Sequence, residues 1–474
     1  MLAICSMSLL IVGLDATIVN VALPAIRSSL HASVAGLQWT VDAYTLVLAS
    51  LLMLAGSTAD RVGRRRTFQT GLVVFSVGSA LCAFAPSLEL LVAFRVVQAI
   101  GGSMLNPVAM SIIRNVFDDP RQRAQAIGLW GAMFGVSMAL GPIAGGALVD
   151  TVGWRAVFLV NVPVGIVAVV LTAMFVPESR AERTRRIDPV GQGLVIVGLA
   201  SLTYAIIEGP RSGWGSAEIL GLFAVSLVCL AGLVPYELRR REPLLEMRFF
   251  RSAPFSGASA IAVLAFAAQG GFLFLNTLYL QGERGFSPFH AGLYMLPMAA
   301  MTLVCAPLSG RIVAQRGARA PLVIAGLGMT AGAVMLTGLG QATDSTYLLA
   351  AYFVFGLGTG MVNPPITNTA VSGMPPSQAG VAAALASTSR QVGMTLGVAV
   401  IGAIAGASVD GGIGKGFAEA THPAWWLIAV LGAAILGLAV ITTTAWARAT
   451  AERTAERLSE PRRAVPAERT PLAA

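Results

Sequence analysis

The sequence predicts an all-α polytopic membrane protein, with two related six-helix bundles and two helices inserted between them, fourteen transmembrane helices in all. Three observations carry that expectation: fourteen apolar stretches, an alternation of arginine-rich and arginine-poor gaps, and an internal repeat. With 55% hydrophobic residues, 12% charged residues and a mean hydropathy of +0.75, the chain is more apolar than any soluble core requires.

The stretches run over 1–25, 37–57, 68–86, 88–113, 124–149, 154–176, 190–207 and 217–236. Six more follow over 254–280, 290–308, 321–339, 346–371, 380–405 and 423–447, giving spans 1 to 14. Each is close to the ~20 residues a helix needs to cross ~30 Å of hydrocarbon, and none alternates as a barrel strand would. Of the 32 Lys+Arg residues, 25 fall in alternate gaps or after the last span. Those gaps, from Arg61 to Arg66, Arg114 to Arg123, Arg180 to Arg186, Arg239 to Arg251 and Arg311 to Arg319, are assigned to the cytoplasm, because basic loops stay inside. An even span count then leaves both termini cytoplasmic, in the cell membrane. Span 1 is too long for a signal peptide, lacks a basic flank and contains Asp15, so it reads as a retained helix.

Composition excludes several functions. The net charge of +9 is spread over short loops, which suits anionic lipid headgroups and not nucleic acid. Cys5, Cys82, Cys229 and Cys305 stand singly, and His31, His290 and His422 lie far apart, so no disulfide framework or metal site is expected. The one lysine, Lys415, sits in an outer gap, so no phosphate loop exists to hold ATP. The gaps are too short to house a catalytic constellation. A membrane enzyme is therefore disfavoured, and a non-transporting sensor remains a rival that substrate-dependent proton flux would exclude.

Ile100-Gly101-Gly102-Ser103-Met104-Leu105-Asn106-Pro107 in span 4 recurs as Leu357-Gly358-Thr359-Gly360-Met361-Val362-Asn363-Pro364 in span 12. Gly56 and Gly63 recur as Gly310 and Gly317. Spans 1 to 6 thus correspond to spans 9 to 14. The expected divisions are an N-terminal bundle over 1–177, linkers and inserted helices over 178–251, a C-terminal bundle over 252–447, and a frayed, solvated tail over 448–474. Transporters built on such repeats bind substrate at the midplane between the halves, where interrupted helices free backbone groups.

The ionisable residues inside the spans are few. Asp15 is expected ~15 Å deep, Asp42 ~8 Å and Arg95 ~10 Å from the same outer surface. At the repeat offsets they face Gln269, Leu296 and Tyr352, so proton handling is expected in the first bundle. A carboxylate at such depth costs ~3 kcal/mol and by default marks an ion or substrate path. The alternatives stay open: Asp15 and Arg95 as a packing ion pair, Asp42 as a vestibule residue. Arg390 in span 13 either contacts substrate or bonds to helix-end carbonyls.

These residues sit in motifs that resemble the major facilitator superfamily, and within it the fourteen-helix drug:proton antiporter family. Leu14 to Pro24 is similar to that family's span 1 signature. Gly56-Ser57-Thr58-Ala59-Asp60-Arg61-Val62-Gly63-Arg64-Arg65-Arg66 resembles the loop 2–3 motif, in which the acid caps a neighbouring helix and the arginines pair across a cytoplasmic gate. Arg95 to Gly101, including Gln98, resembles the span 4 proton-transfer motif, with Ala99 where glycine is usual. Gly141-Pro142-Ile143-Ala144-Gly145-Gly146 resembles the span 5 antiporter motif, with Ser137 replacing a glycine. Trp154-Arg155, Asn161, Pro163 and Gly165 match in span 6, and Ser287-Pro288 through Leu296-Pro297 match around span 10.

The resemblance implies the major facilitator fold and export of small amphipathic toxic compounds against proton entry, with no cofactor beyond the proton motive force. The span 5 motif implies export, its glycines letting that helix pack closely on its counterpart in the other bundle. The absence of acids from spans 10 and 13 argues against divalent organic cations. Asn20, Gln98, Asn106, Gln269, Asn276, Tyr352, Phe355, Asn363 and Arg390 are the expected cavity residues. Met295, Met298 and Met301 either join them or face core or lipid. A monomer is expected, and any adaptor is not written in the sequence. Within transport, the alternative is a pump dedicated to one self-made metabolite; Arg outnumbers Lys 31 to 1, as in GC-rich genomes.

Overall fold

The computed structural model describes residues 1–117, 119–181, 188–240, 242–372, 374–375, 378–408 and 416–459. All its regular elements are helical. The first part holds α1 (Leu2–Leu30), α2 (Val34–Val62), α3 (Arg64–Ala83), α4 (Leu88–Ser103), α5 (Asn106–Val116), α6 (Pro120–Thr151), α7 (Ala156–Leu159) and α8 (Asn161–Phe175). Then come α9 (Pro189–Ser212), α10 (Ala217–Arg239) and a short 3-10 turn, Met247–Arg251. The rest holds α11 (Ala253–Leu278), prolonged by a π turn over Tyr279–Glu283, then α12 (Pro288–Tyr294), α13 (Leu296–Arg316), α14 (Arg319–Leu336) and α15 (Ser345–Val371). It ends with α16 (Ala379–Ser408), α17 (Phe417–Ala420), α18 (His422–Thr442) and α19 (Ala445–Ser459).

Side chains set many of the helix starts. Ser33, Ser87, Asp119, Asp188, Ser216, Ser252, Ser287 and Asp344 each accept a hydrogen bond from a first-turn N–H, satisfying donors the helix cannot. Pro107 follows the break between α4 and α5, where residues 104 and 105 leave the helical ladder.

Thirteen helices among the described residues are long and apolar enough to cross a membrane. The fourteenth expected span is α3, 20 residues long, whose first turn is Arg64-Arg65-Arg66 and keeps it out of that set. The chain is thus a multi-pass membrane protein. Lipid tails are as apolar as leucine, so close backbone approach holds such helices together. A Cβ on Gly101 would stand 2.2 Å from Phe75 N, and one on Gly358 2.5 Å from Met329 N. The same contact, α4 on α3 and α15 on α14, recurs at the repeat offsets.

Within the first part, α1 packs on α6 and α8, and α4 on α2 and α3. In the last part, α11 packs on α15, α16 and α18, and α14 on α15 and α18. Helix α9 lies against α2 and α16, with α10 beside it. Two expectations need correction here. The tail is not frayed from Arg448: α19 buries Ala447, Ala451, Thr454 and Leu458, and Thr450 Oγ1 accepts from Ala253 N at 2.9 Å. Residues 460–474 lie outside the described set. Nor does the span 5 helix, α6, pack on its repeat counterpart α16; it packs on α12 and α13 instead.

Candidate functional site

A buried polar cluster in the apolar interior centres on Asp15. Its Oδ2 lies 2.6 Å from Arg95 Nη1, and its Oδ1 accepts from Gln98 Nε2 at 2.8 Å and from Asn161 Nδ2 at 3.1 Å. Both amides also donate to Ser79 Oγ, at 2.7 and 3.0 Å. Arg95 further donates to Gln98 Oε1 at 2.7 Å and, through Nε, to Thr40 O at 3.1 Å, and its guanidinium lies 4.2 Å from the Tyr44 ring centroid. Asp15 is 0% and Arg95 1% exposed. Five helices, α1 to α4 and α8, converge on this one pair.

Beside it is a cavity lined from both parts of the chain. Asn20, Tyr44, Thr45, Arg95, Asn106, Met138, Gln269, Gln391 and Met394 are among its walls. Asp15 itself is not: Arg95 and Tyr44 line the cavity and the carboxylate lies behind them. The carboxylate is the counter-charge of a guanidinium that stands at the cavity wall.

Of the expected cavity residues, Asn20, Asn106 and Gln269 line it and the others do not. Gln98 is spent on Asp15. Asn276 is two turns beyond Gln269, ~10 Å along α11, where its Nδ2 donates to Met295 Sδ at 2.7 Å and its Oδ1 accepts from Tyr352. Phe355 stacks on Phe272 at 4.4 Å. Met295 and Met298 are buried core, so the methionine series does not form the pocket wall. Asn363 keeps an unpartnered Oδ1, and Arg390 Nη1 donates to Thr367 Oγ1 at 3.2 Å; neither is a cavity wall.

Asp42 does not join the Asp15 cluster. It is fully buried, its Oδ1 accepts a long 3.4 Å bond from Thr45, and its Oδ2 has no partner. Thr45 in turn accepts from Thr395 Oγ1 of α16 at 2.9 Å. Further bonds join the two parts of the chain: Gln38 Nε2 donates to Val398 O (3.1 Å) and Ala399 O (2.8 Å), Gln281 Nε2 to Val21 O (2.9 Å), and Phe289 N to Asp150 Oδ2 (2.9 Å). These concentrate toward the end opposite the arginine-rich loops, where α2 begins and α1, α6 and α11 end. At the arginine-rich end, Arg114 approaches Gly380.

The antiporter-like motif lies in this closed region. A Cβ on Gly141 would stand 1.9 Å from Thr17 Oγ1, one on Gly145 2.7 Å from Ile18 Cγ1, and one on Gly146 2.5 Å from Phe289 Cα. Pro142 lends its carbonyl to the approach of Gly292. The loop 2–3 motif behaves differently from its expected role. Asp60 pairs with Arg64 at 3.2 Å, and among the described residues its side chain caps no neighbouring helix. Arg65 donates its backbone N–H to Glu178, just after α8, at 3.1 Å, and Arg66 Nε lies 3.7 Å from the same carboxylate, so the Arg64 and Arg66 ion pairs stay within the first part of the chain. Gly63 has φ +124°, with the Glu178 carboxylate filling the place of a side chain, Arg61 is exposed and Gly56 faces Pro107.

Tyr44, Ser79, Met138, Gln391 and Glu178 are not singled out by the sequence, and Asn161 has no role there beyond a motif match. For Tyr44, Ser79, Gln391 and Asn161 the one signal is polar type inside an apolar span, which any packing hydrogen bond shares; Met138 and Glu178 carry none. Among the described residues no group of three or more His, Cys, Asp or Glu could hold a metal.

Comparison with known proteins agrees with this architecture. The Major Facilitator Superfamily profile matches residues 5–398. The tetracenomycin C resistance and export protein of Streptomyces glaucescens is 39% identical over 423 residues, 88% of this chain and 78% of its own length. The multidrug resistance protein Stp of Mycobacterium tuberculosis is 37% identical over 398 residues (84% and 74%), and the methylenomycin A resistance protein of Bacillus subtilis 32% over 432 (91% and 92%). Among solved structures, a POT family transporter in complex with 5-aminolevulinic acid superposes with a TM-score of 0.67 at 14% identity, covering 93% of this chain and 94% of that one. A bacterial homologue of the human lysosomal transporter Spinster gives 0.62 at 19%, covering 96% and 97%. The chain belongs to the Major Facilitator Superfamily, among its multidrug and drug-resistance efflux transporters, and is a transporter and not an enzyme.

Proposed function

We propose that the chain exports amphipathic drugs or antibiotics across the cytoplasmic membrane in exchange for protons, by alternating access between two six-helix bundles, 1–177 and 252–447. Both termini and the arginine-rich loops face the cytoplasm. Asp15 is the proton-binding group, and the observation that carries the reading is its burial against Arg95, whose other side meets the cavity.

Ionised Asp15 holds Arg95 neutralised. A proton arriving at Asp15 leaves an uncompensated guanidinium beside the substrate, and a buried charge without its partner is strongly unfavourable. Relief comes from rearranging the helices that carry the pair, which empties the cavity on the far side. One proton moving down ~100 mV supplies ~2.3 kcal/mol, a gradient of some tens-fold. Asp42, at the α2–α16 contact, is a second group that a proton could reach when that contact opens. Arg390 and Asn363 face the pathway in the other state, and the loop 2–3 arginines close the cytoplasmic gate there.

Dye uptake into inverted vesicles with an acidic lumen tests this. Wild type should concentrate the dye and Asp15→Asn should not; concentration by the variant overturns the assignment. A second reading, a pump dedicated to one self-made metabolite, is favoured by relatives named for tetracenomycin C, methylenomycin A and actinorhodin. A single accepted compound in a broad uptake panel would select it.

A further inference from the structure

The cavity's lining residues carry hydrogen-bond acceptors that no described residue satisfies. Asn20 donates Nδ2 to Ala16 O at 2.9 Å, which turns its Oδ1 the other way, and that oxygen is buried without a partner. Asn106 Oδ1, at the break between α4 and α5, is buried and unpartnered too. Both residues line the cavity, as does Tyr44, whose hydroxyl has no partner. Polar groups left in this condition inside a protein are expensive unless water or a ligand meets them. An amide oxygen can only accept, so the group that meets it must be an O–H or N–H donor.

The charges point the same way. No carboxylate is among the described lining residues, and the one full charge there, Arg95, is cationic and already held by Asp15. A permanent organic cation entering the cavity finds no counter-ion and faces a guanidinium. An uncharged molecule meets apolar walls from Val12, Phe266 and Leu273, with Asn20 and Asn106 set among them.

Resting on the transport reading above, we infer that the cavity selects uncharged amphipathic molecules bearing hydroxyl or N–H donors, which Asn20 and Asn106 accept, over permanent cations and over analogues with those donors alkylated. A site built to hydrogen-bond a hydroxyl discriminates against the analogue lacking it, because the protein's own polar atoms then stay unpaired.

The test uses three probes: a neutral tetracyclic polyol, its per-O-methyl ether, and ethidium. Binding to the purified full chain in lipid nanodiscs is read by tryptophan fluorescence, and uptake is measured in inverted vesicles. Wild type should bind the polyol about tenfold more tightly than the ether, and ethidium more weakly than the polyol. Asn20→Leu and Asn106→Leu should lose affinity for the polyol while keeping that for the ether. Equal binding of polyol and ether by wild type overturns the inference, and so do variants that lose both probes equally while unfolding at the wild-type temperature. If the leucine variants do not fold, the wild-type polyol and ether comparison still decides. Selective binding without pH-driven uptake of any probe would sink the transport reading and support the cavity chemistry; uptake without selectivity would do the reverse.

Discussion

Arg95 Nη1 stands 2.6 Å from Asp15 Oδ2, with both side chains withdrawn from solvent and only the arginine reaching the cavity wall. The guanidinium thus stands between the carboxylate and the cavity, the placement on which the proposed proton coupling rests.

Removing one member of a buried pair strands the other. Arg95→Met should destabilise the protein by ~3–5 kcal/mol, whereas Asp15→Leu with Arg95→Met should unfold closer to wild type than Arg95→Met alone. Thermal unfolding in detergent micelles checks this. Transport should be lost in both variants.

Gln38 bridges α2 to the carbonyls of Val398 and Ala399 in α16. Gln38→Leu should weaken the closed end by ~1–2 kcal/mol, about a tenfold change in the ratio of states. Spin labels at Ala35 and Ala407 should then report a larger population at long distance than in the wild type.

The glycines of α6 differ in what they touch. A methyl on Gly146 meets the Phe289 backbone at 2.5 Å, which cannot rotate away, while one on Gly131 meets nothing within 4 Å. Gly146→Ala should speed the collapse of an imposed pH gradient in substrate-free vesicles. Gly131→Ala should leave that rate unchanged and raise stability by up to ~1 kcal/mol.

Asp188 lies just outside α9 and supplies a pH-dependent contribution to stability. Burial raises its carboxyl, but bonds from Gly191 N, Tyr236 and Arg240 outweigh that and hold it below the usual value. A depressed carboxyl stabilises the fold above its unfolded pKa, ~3.9, and that contribution fades as pH falls through the folded value. Asp188→Asn should lower the unfolding temperature at neutral pH, and the gap to wild type should close below about pH 4.

The fold was legible because hydropathy is summed over some twenty residues, and single misassignments average out. The Asp15–Arg95 pair was legible for the opposite reason: a charge in an apolar span stands alone. What completes the site was not. Ser79, Asn161 and Tyr44 are ordinary residues whose position depends on helical phase and on which neighbour turns toward them. Phase also separates Gln269 from Tyr352 and Phe355, which turn into the packing around Phe272. Helix α19 carried a readable signal: Ala447, Ala451, Thr454 and Leu458 form one stripe at helical spacing, which the alternating Glu and Arg obscured.

Proton release on substrate binding tests the central claim most directly. With purified protein in weakly buffered detergent and a pH indicator, adding a transported substrate to wild type across a series of starting pH values should release protons at one or more of them, and Asp15→Asn should release none at any. Equal release from the variant would mean that another group carries the exchanged proton.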